Sequence, residues 1–293
     1  MRFPWDKYVE MESSYVNTLQ VFITNRCNLQ CKGCFVRNVM SEEDKDISYN
    51  EYAYDVARVA HSKDVSKINL LGGEPFLHPE LIDFIRCNVF YGIKSTIYTN
   101  GHFLSLYSKE DLKESKIRVS VYSFDEYKGV KKIKIVDTPV EFCFMVSSKT
   151  TVEELLKTSE YIEDNFNCSV FFISSIRELD NKNKEFFEDT QLTMPILDYK
   201  KIVHLFLNEY DGNMDIHISK RGVFESTCNK ALNKCRFANY FIGGRIIQCP
   251  YDIINLKYQD NYFFNNGNGR FCKHNSTCLM TKIILRPEKR IFK

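Results

Sequence analysis

The chain has 293 residues, 44% of them hydrophobic, which is enough length and apolar content for a folded protein with a substantial core. Its 40 lysines and arginines nearly balance its 38 aspartates and glutamates, so its net charge does not favour nucleic acid or an anionic membrane as a partner. No apolar run approaches the length of a membrane span and the N-terminus lacks a secretory signal, so we expect a cytoplasmic protein.

Strand-like and helix-like segments alternate along the first two thirds of the chain, which is the pattern of a parallel sheet built from βα units. Several strand-like segments are nearly continuous apolar runs, as in strands that are covered on both faces. We therefore predict an α/β fold. The predicted strands are residues 19–24, 67–71, 94–99, 117–122, 140–146 and 168–174. The predicted helices are residues 49–61, 79–90, 109–114, 151–165 and 198–209.

Three cysteines follow the first of these strands with C-x3-C-x2-C spacing: Cys27, Cys31 and Cys34. An odd total of 11 cysteines in a chain without a signal argues against a disulfide framework. Three thiolates from one short loop can hold three irons of a cubane iron–sulfur cluster and leave the fourth iron open to a cofactor or substrate. A zinc site is the alternative, but it needs four ligands and no fourth ligand lies nearby in the sequence.

A second motif, Gly72-Gly73-Glu74-Pro75, follows the second predicted strand. The double glycine lets the backbone approach a ligand closely because no Cβ intervenes. Pro75 stiffens the turn, and Glu74 adds a hydrogen-bond acceptor. Alone, this turn could be an ordinary strand-to-helix connection. One βα unit after the cysteines, it indicates a functional site.

Together, the cysteine spacing and the Gly-Gly-Glu-Pro turn resemble the radical S-adenosylmethionine (radical SAM) superfamily over about residues 18–215. The resemblance implies a partial (βα)6, TIM-like barrel whose cysteines bind a 4Fe–4S cluster. It implies that SAM chelates the open iron and that the turn contacts the SAM amino group. It also implies a 5′-deoxyadenosyl radical that removes a hydrogen atom from substrate, and a reducing electron donor such as flavodoxin or ferredoxin.

Five further positions are candidate contacts to SAM by the same resemblance. Thr99 and Asn100 lie in the turn after the third strand, at the edge of a parallel sheet where ligands gather. Ser120 and Ser123 could reach the ribose or the carboxylate, or could be ordinary polar strand residues. Gly33 stands where many members carry an aromatic residue, so its backbone is a candidate for the adenine contact.

The C-terminal part carries a second group of cysteines. Cys235 and Cys249 flank a predicted β-hairpin with its turn at Gly243-Gly244. This spacing is similar to the auxiliary-cluster modules, called SPASM or twitch, that follow many radical SAM barrels. Cys272 and Cys278 would complete four ligands for a second, auxiliary iron–sulfur cluster, and a structural zinc site is the alternative.

These signals predict two domains, a radical SAM core at residues 1–215 and a small cysteine-rich auxiliary module at residues 216–293. Some radical SAM epimerases return a hydrogen atom from a free cysteine, and Cys228, Cys143 or Cys249 could do so here. The alternative for such residues is a small buried thiol.

The substrate stays open between two classes. One is a ribosomal peptide that is epimerised, cross-linked or oxidised, and we favour it because auxiliary-cluster modules are most frequent on peptide and protein modifiers. The other is a small polar metabolite such as a sugar, aminoglycoside or nucleotide. About 18 residues precede the first predicted strand, which are too few for a fused leader-peptide-binding domain. A metal-binding protein without turnover is a third possibility, against which the two intact motifs argue.

Overall fold

A computed structural model describes residues 7–11, 17–31, 34, 45–126, 128–176, 194–219, 237–242, 244–247 and 282–290. The described strands are β1 Tyr8–Met11, β2 Thr18–Thr24, β3 Lys67–Gly72, β4 Lys94–Thr99, β5 Ser115–Val121, β6 Val140–Val146, β7 Cys168–Ser175, β8 Asp215–Ser219, β9 Phe237–Phe241, β10 Arg245–Ile247 and β11 Lys282–Pro287. The described helices are α1 Tyr49–Glu51, α2 Arg58–Ser62, α3 Leu81–Phe90, α4 Lys109–Leu112, α5 Val152–Asn165 and α6 Ile196–Glu209.

These strands form one open sheet in the order β1-β11-β8-β7-β6-β5-β4-β3-β2-β9-β10. Strands β2 to β8 run parallel to one another, as the alternating pattern predicted. Strand β11 pairs antiparallel with both β8 and β1. The α/β class and the partial, unclosed barrel are therefore confirmed.

All six predicted strands are present, and their bounds differ from the prediction by no more than two residues. The predicted helix at 49–61 is a continuous helical segment whose middle, Tyr52–Ala57, is π-helical. A strand that the sequence did not reveal is β1, which precedes the cysteines and pairs with β11 from the other end of the chain.

The two faces of the sheet differ in chemistry. On β6, Phe142 and Phe144 are fully buried against the helices, and they belong to the main hydrophobic core. The alternating residues Glu141 and Cys143 project to the opposite face, here called the inner face. The register of neighbouring strands places Tyr98, Arg118, Ser120 and Phe172 on that same face. The inner face is therefore the polar face of the barrel.

Strands after residue 215 extend this same sheet. Strand β9 pairs in parallel with β2, and the β9–β10 hairpin confirms the predicted hairpin. On β11, Arg286 forms a bidentate ion pair with Asp215 of β8 at 2.9 and 2.8 Å.

The division into domains at 215 and 216 stays a prediction. Several predicted site residues lie outside the described residues, namely Gly33, Cys228, Cys235, Cys249, Cys272 and Cys278. In the part of the chain that is described, no helix is long and apolar enough to cross a membrane.

Candidate active site

The three cysteines of the motif follow β2, and the described residues 25–31 and 34 are here called the cysteine loop. Cys31 is buried, Cys34 is half-buried and Cys27 is exposed. The amide of Cys34 donates to the Cys31 carbonyl at 3.3 Å, and the amide of Leu29 donates to Cys27 Sγ at 3.4 Å. Burial raises the pKa of Cys27, and the charges of Glu74, Cys31 and Cys34 raise it further. The three thiols therefore lie close enough to interact electrostatically.

These thiols fit a cluster better than a single ion. Among the described residues, no group of three or more His, Cys, Asp or Glu side chains is arranged to hold one metal ion. A cubane cluster binds each thiolate to a different iron, so the three sulfurs do not need to converge on one metal ion. The donor set is all thiolate, which is also what an iron–sulfur cluster requires.

The two glycines of the Gly-Gly-Glu-Pro turn (residues 72–75) pack directly against the cysteine loop. A Cβ on Gly73 would lie 2.1 Å from the carbonyl oxygen of Arg26 and 2.9 Å from Cβ of Cys27. Gly72 has a φ of +150°, and a Cβ there would lie 2.3 Å from the carbonyl oxygen of Thr24. The motif therefore needs glycine in order to approach the protein's own backbone just before the first cysteine.

Glu74 is fully buried, and its carboxylate joins the ends of two strands. It accepts hydrogen bonds from Thr99 Oγ1 at 2.6 Å, from the Asn100 amide at 2.8 Å and from the Phe76 amide at 3.2 Å. Burial raises the pKa of Glu74, and these three donors oppose that rise. Glu74 thus holds the turn after β3 against the turn after β4.

A second network continues from that turn to the cysteine loop. Asn100 Nδ2 donates to Asn28 Oδ1 at 2.8 Å, and Asn100 Oδ1 accepts from the His102 amide at 3.0 Å. Asn28 Nδ2 also lies 3.3 Å from His102 Nδ1. The side chains of Thr99 and Asn100 therefore bond within the protein, and direct contacts from them to SAM stay a prediction.

An ion pair fixes the start of the cysteine loop. Arg26 Nη2 contacts Asp46 Oδ2 at 2.5 Å and donates to the Leu77 carbonyl at 2.7 Å. Thr24 Oγ1 donates to the same aspartate at 2.6 Å. Arg26, Asp46, Asn28 and His102 belong to this site, although no sequence motif singled them out. Adjacency to Cys27 was the signal available for Arg26 and Asn28.

A cavity of about 620 Å³ opens beside the cysteine loop at the ends of β5, β6 and β7. Its lining includes Cys31, the predicted contact Ser123, and two lysines, Lys128 and Lys149. The predicted contact Ser120 is not among the lining residues and lies on the inner face of β5. The cavity has the volume of a cofactor or small-ligand site.

Charged and aromatic groups meet on the inner face. Arg118 donates to Glu141 Oε2 from Nε at 3.1 Å and from Nη2 at 2.6 Å, and to the Tyr98 hydroxyl from Nη1 at 2.6 Å. Its guanidinium carbon lies 3.8 Å from the centroid of the Phe172 ring. Cys143, opposite Ser120 in the register, is buried. This face therefore presents hydrogen-bonding groups around a buried thiol.

Comparison with known families gives one match that covers more than half of the chain. The model that describes the radical SAM superfamily matches residues 21–190. The match includes all three motif cysteines and the Gly-Gly-Glu-Pro turn.

The proteins that the chain resembles in sequence include GTP 3′,8-cyclases. The chain is 29% identical over 128 residues to the cyclase of Nautilia profundicola, covering 43% of this chain and 40% of the relative. It is 32% identical over 130 residues to that of Campylobacter curvus, covering 42% of this chain and 39% of the relative. The chain therefore aligns with about two fifths of the length of these proteins.

Solved structures with a similar fold cover much more of the chain. Streptococcus suis SuiB bound to the precursor peptide SuiA matches with a TM-score of 0.62 at 15% identity, over 87% of this chain and 64% of that one. Native anSMEcpe with bound AdoMet and the Cp18Cys peptide matches with a TM-score of 0.58 at 15% identity, over 89% of this chain and 83% of that one. At this identity the likeness shows the fold.

Proposed function

Because the chain belongs to the radical SAM superfamily and is an enzyme that depends on a 4Fe–4S cluster and SAM, we propose that its substrate is a ribosomal peptide. When bound, the cluster and SAM supply a 5′-deoxyadenosyl radical that removes a hydrogen atom. Cys27, Cys31 and Cys34 would hold the cluster. Glu74 would fix the turn that meets the SAM amino group, and a reductant of the flavodoxin or ferredoxin class would deliver the electron.

The peptide proposal rests on how much of the fold is shared. Two structures solved with peptides bound match 87% and 89% of this chain. The inner face adds polar groups that suit a peptide backbone, because a peptide needs both donors and acceptors along its length. SuiB and anSMEcpe share only 15% identity with the chain. Whether the peptide is epimerised, cross-linked or oxidised is therefore a question for experiment.

A nucleotide is the second candidate, and the sequence relatives favour it. The GTP 3′,8-cyclases are more similar in sequence than the peptide-bound structures, at 29% and 32% identity. Their similarity covers about two fifths of this chain.

For an epimerisation, Cys143 is the candidate hydrogen donor within the described residues. Its Sγ lies on the inner face, 3.5 Å from Ser174 Oγ. The S–H bond of Cys143 would break as a C–H bond forms on the substrate carbon radical. The sulfur radical left behind would then take one electron and one proton with the same class of reductant. The other predicted donors are Cys228 and Cys249, and both lie outside the described residues.

The test compares substrates by their effect on SAM cleavage. Anaerobically reconstituted and reduced enzyme is incubated with SAM and with a synthetic peptide pool, GTP or aminoglycosides in parallel, and 5′-deoxyadenosine is quantified. We expect stimulation by peptides. Stimulation by GTP alone would replace the peptide by a nucleotide.

A second experiment tests the hydrogen donor. In deuterated water, an epimerised product should carry one deuterium at the inverted carbon. Cys143→Ala should still cleave SAM but release no inverted product, whereas Cys87→Ala, on the distant helix α3, should behave as wild type. An unlabelled product would favour oxidation or cross-linking over epimerisation.

A further inference from the structure

Among the three proposed cluster ligands, Cys27 is the one that reaches the protein surface. Cys27 is exposed, whereas Cys31 is buried. The next residue, Asn28, is also exposed and contacts the turn after β4, with its Nδ2 3.3 Å from Nδ1 of His102. Cys27 therefore gives an electron carrier outside the protein a short path to the cluster.

The loop after β5, residues 129–135, packs against that turn and is here called the lysine loop. A Cβ on Gly101 would lie 3.3 Å from Cδ1 of Ile133 in this loop. Burial, together with the charges of two lysines, one of them Lys132, lowers the pKa of His102. The lysine loop therefore lies beside His102 and, through it, beside the exposed part of the cysteine loop.

The lysine loop carries three exposed lysines, Lys131, Lys132 and Lys134. None of them forms an ion pair with any residue that the structure describes. The segments that meet here, residues 100–108 and 128–136, contain no Asp or Glu. This part of the surface is therefore positively charged, and it favours an acidic partner.

Apolar side chains are exposed in the same two segments. Ile135 of the lysine loop is 56% exposed, and Leu106, in the short 3₁₀ helix that follows the β4 turn, is 73% exposed. The lysine loop is held in place by its own backbone, for example by a 3.1 Å hydrogen bond from the Lys131 amide to the Phe124 carbonyl. A preformed surface with a few apolar residues among charges suits a short-lived electron-transfer contact, which buries little area.

We propose that an acidic flavodoxin docks on the lysine loop and on Leu106, with its flavin facing Cys27. One electron leaves the reduced flavin and enters the cluster, and no proton or other atom is transferred. The lysines pair with carboxylates of this carrier, while Leu106 and Ile135 suit the apolar edge of its exposed flavin. The proposal rests on the reductant named in the proposed function, and it is independent of whether the substrate is a peptide or a nucleotide.

The experiment compares reduction of the cluster by two kinds of donor, followed as loss of cluster absorbance. Reconstituted wild type, Lys131→Glu with Lys132→Glu, and Lys201→Glu are mixed anaerobically with reduced flavodoxin or with photoreduced deazariboflavin, a small neutral reductant. We expect flavodoxin to reduce the double variant about tenfold or more slowly, because docking loses its charge attraction, and deazariboflavin to reduce it at the wild-type rate. Lys201→Glu, at an exposed position on α6, should match the wild type with both donors.

Salt supplies a second measurement of the same contact. The rate with flavodoxin should fall as ionic strength rises in the wild type, and this dependence should be weaker in the double variant. Lys131→Gln with Lys132→Gln removes the charges without reversing them, so its rate should lie between the two. This neutral variant repeats the test where the reversed charges lower the iron content.

Three results would overturn the proposal. Equal slowing with both donors would assign the lysines to the cluster or to folding, and unchanged reduction by flavodoxin would show that it docks elsewhere. Reduction that depends on the lysines with a ferredoxin but not with flavodoxin would replace the partner. Cleavage of SAM driven by deazariboflavin needs no carrier protein, so failure of the peptide proposal is seen separately.

Discussion

The side-chain amide of Asn100 donates a 2.8 Å hydrogen bond to the side-chain oxygen of Asn28, and this contact joins the turn after β4 to the cysteine loop. The backbone of Asn100 is held in turn by Glu74. Three separate loops, which follow β2, β3 and β4, are therefore linked through two side chains. The geometry of the cysteines depends on this linkage as well as on their own spacing.

Asn100→Asp tests the link between the two turns. The aspartate keeps an acceptor for the His102 amide but loses the donor to Asn28, and it places a carboxylate against the Asn28 oxygen. We expect less iron and sulfide per chain after reconstitution, and a destabilisation of about 1–3 kcal/mol from the unmatched acceptors. Asn208→Asp, at an exposed position on α6, is the control. Equal iron content in Asn100→Asp and wild type would show that the cysteine loop does not need this contact.

Gly73→Ala tests the packing of the turn on the cysteine loop. The added Cβ would come within 2.1 Å of the Arg26 carbonyl oxygen, so one of the two loops must move. We expect loss of most cluster binding, measured as iron content and as absorbance of the reconstituted protein. Gly92→Ala is the matched control, because a Cβ there meets nothing within 4 Å and costs only its left-handed backbone. The interpretation fails if both variants bind iron equally.

Glu74→Gln tests the buried carboxylate that joins the two strand ends. A glutamine has one acceptor oxygen, so it cannot accept from both Thr99 Oγ1 and the Asn100 amide as the two oxygens of Glu74 do. We expect a loss of about 1–3 kcal/mol in unfolding free energy, measured by chemical denaturation of the cluster-free protein. Thr99→Val removes one donor of the same network and also the acceptor of the Gly101 amide at 2.9 Å, so it should cost a similar amount. An unchanged stability of Glu74→Gln would contradict this account.

The core strands were predictable because their residues are buried on both faces, which makes apolar runs such as Val140–Val146 visible in the sequence. The motifs were predictable because the spacing of ligands on one loop is a local property. The β1–β11 pair was not, because its partners come from opposite ends of the chain and Tyr8–Met11 is short and mixed in polarity. Long-range pairing of short strands leaves no local pattern.

The site residues also differ in whether a local motif or a long-range contact places them in the site. Glu74 belonged to a recognisable turn, whereas Asn28, His102 and Lys128 acquire their contacts only when three loops meet in space. The glycines show a further limit. The sequence predicts that they let the backbone approach a ligand, whereas the atoms they approach in the structure are backbone carbonyl oxygens of Thr24 and Arg26, which no single motif could reveal.

Lys67 begins β3 in a half-buried position, where the charge of Arg118 acts on its ammonium group. Burial, together with the charge of Arg118, lowers its pKa from 10.5 to about 8. The unfolded chain therefore binds more protons than the folded one between these two values, so stability rises with pH across that window. Below it, the folded protein carries the full penalty of a charged, poorly solvated amine.

Lys67→Met should accordingly raise the melting temperature at neutral pH, and the gain should shrink as the pH rises from about 8 to 10.5. Lys94→Met, at the exposed register partner on β4, should change stability little at any pH. Thermal unfolding across this pH range measures both variants, and a gain for Lys67→Met that stays constant with pH would attribute it to packing and not to charge.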